Sequence, residues 1–152
     1  MNIEAIRNLV TFTSSSFNTT EPKPYFIHAS CFGDDLANWL IGELKFRDVR
    51  AYQDPTQRDY GWYLLFSPGV TLHRLSLTFI PFDDVGGGEW LGCVERCPFI
   101  GLILGKRARV PNRSAVEVIQ RILSASSLIQ NVQWHAQNEL EARYRSAAHI
   151  LS

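Results

Sequence analysis

The feature that most constrains the fold is a pair of strand-length apolar runs separated by a turn. Asp59-Tyr-Gly-Trp62-Tyr-Leu-Leu-Phe66 leads through Ser67-Pro-Gly-Val70 into Leu72–Phe82. In the second run His73, Leu75, Leu77 and Phe79 share one face while Arg74, Ser76 and Thr78 share the other. That period of two belongs to a half-exposed antiparallel strand. Gly61–Phe66 is apolar on both faces, as in a strand buried centrally or held between a helix and a partner surface. Pro68-Gly69 predicts a type II turn, proline presetting the first angle and glycine accepting a positive φ at the second.

Helical periodicity flanks this hairpin. Leu36, Trp39, Leu40 and Leu44 recur at i, i+3, i+4 and i+8 behind Gly33-Asp34-Asp35, whose carboxylates suit a helix N-terminus. Ala115, Val118, Ile119, Ile122 and Leu123 form a second stripe, and Ser114-x-x-Glu117 reads as its capping box. Leu140, Tyr144, Ala147, Ala148 and Leu151 mark a C-terminal helix over 136–152. Asn2–Val10 reads as a short helix with Ile3, Ile6 and Val10 inward, and Phe17–Pro24 as a connector, so that 1–24 is an N-terminal extension. Further strands are expected at Tyr25–Ser30, Val49–Tyr52, Glu89–Arg96, Pro98–Leu104 and Ile129–Trp134, with Gln53–Asp59 and Asp83–Gly88 as loops. The expected architecture over 1–152 is a single α+β domain: a mainly antiparallel sheet of about five strands, with helices packed mostly on one face.

Charge excludes more than it assigns. Lys plus Arg and Asp plus Glu both number 15, so no net charge drives the chain toward nucleic acid or anionic lipid. The distribution is uneven: residues 1–60 and 61–104 each carry a net −2, and 105–152 a net +4. Three cysteines, Cys31, Cys93 and Cys97, without repeating spacing argue against a disulfide framework and fit a reducing cytoplasm. The first residues lack a signal-peptide pattern, and the longest apolar run, Pro98–Leu104, is too short to cross a bilayer.

No constellation carries a complete chemical signature. His28-x-x-Cys31 and Cys93-x-x-x-Cys97 offer soft zinc ligands, but in a strand Cys93 and Cys97 stand roughly 13 Å apart; no metal or cofactor is expected. Cys31, between a strand and a helix N-terminus, with His28 and Asp35 nearby, is the candidate site for a small thiol enzyme. His73 and His135 are further candidate bases. Asp34/Asp35, Asp54/Asp59 and Asp83/Asp84 are paired carboxylates that a cap and solvated turns explain. Gly101-Leu-Ile-Leu-Gly-Lys106 lacks phosphate-loop spacing, with Arg107 where a hydroxyl belongs. Lys106, Arg107, Arg109 and Arg113 form a basic loop before the second helix.

Aromatics next to acidic loops give the surface expectation. Asp54, Asp59, Tyr60, Asp83, Asp84 and Trp90 would form an acidic, aromatic-rimmed patch suited to a basic protein partner. Cys31-Phe-Gly-Asp-Asp-Leu-Ala-Asn-Trp-Leu40, followed by Asp59-Tyr-Gly-Trp62 and closed by Ile129-Gln-Asn-Val-Gln-Trp134, resembles a pattern in small, uncharacterised bacterial proteins. In size and style the chain is similar to immunity proteins of contact-dependent toxin systems. That resemblance implies a cytoplasmic, non-catalytic binding module whose partner is a basic toxin domain; the alternative is the Cys31 enzyme.

Overall fold

The computed structural model describes residues 6–83, 86–97 and 109–151, with side chains described as far as 146. The expected strand Pro98–Leu104, the carboxylate of Asp84 and the basic residues Lys106 and Arg107 lie outside the described residues.

The fold is α+β, with seven strands among the described residues where the sequence predicts about five. In chain order these are β1 (Arg7–Thr13), α1 (Asp34–Phe46), β2 (Arg50–Ala51), β3 (Thr56–Arg58), β4 (Gly61–Ser67), β5 (His73–Pro81), β6 (Gly88–Arg96), α2 (Arg113–Ala125), β7 (Gln130–Ala136) and α3 (Gln137–Leu151). The strands form one sheet in the order β2-β4-β5-β6-β1-β7, with β3 pairing β4 beside β2. Each of these pairings is antiparallel.

The central hairpin forms with Trp62 opposite Leu77 and Leu64 opposite Leu75. Its faces are unequal. Trp62, Leu64 and Phe66 are buried with Leu75 and Leu77, while Tyr63, Leu65, Ser76 and Thr78 on the other face stay partly exposed. The type II turn does not form: Phe66 pairs His73 across a longer connection, and Gly69 is absent from the positive-φ glycines. Gly61 is the glycine the hairpin requires. Its φ is 146°, and a Cβ there would stand 2.2 Å from the Leu77 carbonyl oxygen.

The first stretch of chain departs most from expectation. Residues 7–13 are a strand between β6 and β7, so they belong to the sheet and are not part of a helical extension. Val10 and Phe12 face the main core; Leu9 and Thr11 face the other side, and all four are buried. A strand covered on both faces shows no alternation of apolar and polar residues, which is why its sequence imitates a helix.

α1 and α2 fill the main core face. Leu36, Leu40, Ile41 and Leu44 of α1 and Ala115, Ile119, Ile122 and Leu123 of α2 join Phe12, Phe66, Leu75 and Trp90 in one cluster. Neither helix begins with its expected cap. Gly33 (φ 128°) precedes α1, and Asn112 precedes α2 without a side-chain cap bond; Glu117 instead pairs with Arg113 at 3.1 Å. A buried histidine secures α2. His73 donates from Nδ1 to the Thr71 carbonyl and accepts the Asn112 N–H at Nε2, both at 3.0 Å.

α3 packs on β7 and β1 over the opposite face, so two of the three helices among the described residues share a face. Leu140 is buried, as are Leu9 and Ala136, outside the main cluster. Most of the contact is polar. Arg143 donates to Thr11 Oγ1 (3.0 Å) and Glu89 Oε2 (2.8 Å), and Tyr144 donates to Glu89 Oε1 (3.3 Å). Thr11 and His135 Nε2 are hydrogen-bonded at 2.8 Å. Glu139 accepts the Ala136 N–H at 2.9 Å, half of a capping box at the start of the helix. No helix among the described residues is long and apolar enough to cross a membrane.

Candidate functional site: an acidic, aromatic tip

The turns β3–β4 and β5–β6, the end of β1 and the start of α1 all lie at one end of the sheet. The registers Arg58↔Gly61, Pro81↔Gly88 and Phe12↔Trp90 place the strands, and Gly33, where a Cβ would stand 3.3 Å from the Trp62 and Trp90 rings, places the start of α1. The segment from Ser14 to Gly33 runs across this end. The strand expected at Tyr25–Ser30 is absent; the segment is held by side chains. Gln57 acts as a surrogate strand partner, its Nε2 donating to the Tyr25 carbonyl (3.1 Å) and its Oε1 accepting the Ile27 N–H (2.8 Å). Phe26 packs edge-on against Phe32 and Trp62. Trp62 donates from Nε1 to the Cys31 carbonyl at 2.8 Å.

Pinning the backbone in this way leaves large side chains outside. Tyr25 and Ile27 are each 55% exposed, Tyr60 42% and Phe82 44%. Acidic groups lie among them. The Tyr25 hydroxyl donates to Asp34 Oδ2, and Asp59 and Asp83 stand exposed in the two turns. The hydrogen bond to Asp34, then burial and the charges of Asp34 and Asp35, push the Tyr25 phenol up to about 12. Tyr60 donates to Ser76 Oγ at 3.2 Å, which fixes its ring at the edge of the tip.

The structure places the residues of the expected patch in three different settings. Asp59, Tyr60 and Asp83 occur together at the tip. Asp54 is exposed in the β2–β3 connection, along the sheet edge. Trp90 is a correction: it is 0% exposed, on the core face opposite Phe12 and Phe79, with its ring 5.1 Å from that of Phe79. Strand alternation puts Glu89 on one side and Trp90 on the other, and the core takes the indole. Tyr25, Ile27 and Phe82 were missed. The alternation in Tyr25–Ser30 predicts a strand, one face of which would be buried.

The alternative thiol site does not assemble as a nucleophile and base. Cys31 is fully buried, and its Sγ donates to the Arg58 and Gly61 carbonyls at 3.4 and 3.6 Å. Burial, with the charges of Asp59 and Asp34, pushes its thiol up, away from the reactive thiolate. His28 lies outside, its Nδ1 accepting the Ser30 N–H (3.2 Å) and its Nε2 donating to the Asp59 carbonyl (2.6 Å). Asp35 accepts the N–H groups of Asn18 (2.7 Å) and Leu36 (2.9 Å). Each of the three serves the local backbone.

The other cysteines lie elsewhere. Cys93 opposes Ser76 on β5, and burial first, then Glu95, raises its thiol to about 12. No group of three or more His, Cys, Asp or Glu side chains among the described residues is placed to hold a metal ion. Comparison with protein-family models, curated proteins and solved structures gives no match.

Proposed function

We propose that the chain is a non-catalytic protein-binding module of the immunity-protein kind, which neutralises a basic toxin domain by binding it through the tip. The observation that carries this reading is the set of four large exposed side chains, Tyr25, Ile27, Tyr60 and Phe82, at one end of the sheet beside Asp34, Asp59 and Asp83. Aromatic anchors inside a polar rim are the usual composition of a binding hot spot. Carboxylates there add electrostatic steering toward a basic surface, which raises association rates and makes them salt-sensitive.

The test uses the immobilised protein beside an Asp59→Lys, Tyr60→Ala, Asp83→Lys variant, both exposed to a lysate of the source cells. A protein retained by the wild type and lost from the variant, with association slowing as salt rises, supports the reading. Equal retention by both removes the tip as the binding surface.

A further inference from the structure

The sheet ends at β7, and among the described residues nothing pairs with its outer edge. Strand parity shows which backbone groups that edge presents. Phe82 donates to the Gly87 carbonyl (3.0 Å) and Cys97 to that of Leu72 (2.9 Å). In the β5–β6 register these bonds turn the N–H and C=O groups of Glu89, Leu91, Cys93 and Glu95 toward β5, and those of Trp90 and Gly92 toward β1. Phe12 and Val10 therefore bond to β6, which leaves Leu9 and Thr11 to bond across to His135 and Gln133. Trp134 and Val132, on either side of Gln133, point their N–H and C=O groups outward. Ala136 has the same parity, but its N–H is already held by Glu139.

An open edge is a template for another strand unless charge, proline or irregularity blunts it. No Asp, Glu, Lys, Arg or Pro occurs between Arg121 and Glu139. The irregularity is a bulge at Asn131 (φ 58°), which confines straight pairing to the strand beyond it. Side chains along that stretch are ready for cover. Val132 and Trp134 pack against the main core yet remain partly exposed, and Trp134 is fixed by donation from Nε1 to Gln120.

We infer that β7 pairs antiparallel with β7 of a second copy, about a two-fold axis through Gln133. The free backbone groups select that axis. It sets Val132 opposite the partner's Trp134, and Trp134 opposite the partner's Val132, so every outward N–H and C=O of the two residues is bonded. An axis through Trp134 would require the Ala136 N–H that Glu139 holds, and one through Val132 would run into the bulge. The Val132–Trp134 cross-strand pairs carry the apolar core face across the join, and no like charges meet there. An uncharged edge gives a basic protein no electrostatic steering, whereas its own copy matches it residue for residue. The pairing is independent of the partner proposed for the tip, and it leaves both tips uncovered at opposite ends of the joined sheet.

The experiment is sedimentation velocity of the full chain over a concentration series, with amide exchange followed by NMR. A concentration-dependent dimer is expected, with exchange at the Val132 and Trp134 amides slowing as it forms. Gln133 is exposed and lies on the axis, so Gln133→Lys sets two like charges face to face without touching the core. The dimer dissociation constant should rise about fivefold in Gln133→Lys and in Gln133→Glu. An equimolar mixture of the two variants should dimerise at least as well as the wild type. A wild type that stays monomeric, a dimer untouched by Gln133→Lys, or a mixture that fails to recover would overturn the pairing. Protection of Val132 and Trp134 that appears only with a different protein would assign the edge to that protein's strand, and overturns it equally.

Discussion

Two polar clusters on this sheet use the same residue types to opposite effect. Under α3, Thr11, Glu89, His135 and Arg143 are turned toward one another, and the first three are buried. At the tip, Gln57, His28 and Asp35 bond to backbone, and the aromatics they position remain in solvent. A cluster that satisfies itself holds a structure together. A cluster that spends its hydrogen bonds on a loop and leaves aromatic area open presents a surface.

If that contrast holds, substitutions under α3 alter stability and those at the tip alter binding. The largest effect is expected for Glu89→Ala, which removes the carboxylate that accepts from Arg143 and Tyr144 and leaves Arg143 only Thr11. The cost should be about 2 kcal/mol, below that of breaking a fully buried ion pair because Arg143 is partly exposed. Chemical denaturation measures it, and hydrogen exchange should show α3 losing protection before α1 and α2. A loss spread equally over all three helices would mean that α3 is not a separately latched element.

Acid provides the next test. Burial, then Arg143, lowers the His135 pKa from 6.5, opposed by Glu139 and Glu89. Neutral His135 accepts the Thr11 hydroxyl proton while Thr11 accepts from Arg143, so protonation sets two cations on one hydroxyl. Because the folded value is depressed, the unfolded chain takes the proton first. Stability is therefore full above pH 6.5 and declines as pH falls below it. His73, also lowered by burial, adds a decline in the same direction that loosens the start of α2. His135→Gln should remove the acid-induced loss of protection in α3 and leave that of α2; an unchanged α3 profile would assign the effect elsewhere.

Smaller still is Gln57→Ala. Releasing two exposed hydrogen bonds should cost about 1 kcal/mol or less, but it frees Tyr25–Ile27 and should weaken partner binding by more than its effect on stability. Smallest is the Asp59→Lys, Asp83→Lys pair, within about 0.5 kcal/mol of wild type. A large loss of melting temperature in that pair would show that the tip charges serve folding.

Where side chains report their own neighbourhood, the sequence was a good guide. The β4–β5 pairing and the buried faces of α1 and α2 follow from periodicity alone. It misled where cover comes from distant chain. Leu9 and Thr11 lie under α3, Val10 and Phe12 under the main core, and a strand dressed on both sides loses its period of two. β3, three polar residues long, lacks any apolar pattern and exists because β4 has an edge to pair. Tyr25–Ser30 alternates like a strand, but its partner is a glutamine side chain. Of the tip, Asp59, Tyr60 and Asp83 were legible as turn residues; the exposure of Tyr25 and Ile27 depends on Gln57, thirty and more residues away.

Hydrogen exchange of the protein alone and with its captured partner tests the recognition surface most directly. New protection confined to residues 23–28, 57–60, 82–83 and 86–87 is the result this account predicts. Protection that appears instead along α3 or the outer edge of β7, with the tip exchanging as in the free protein, would contradict it.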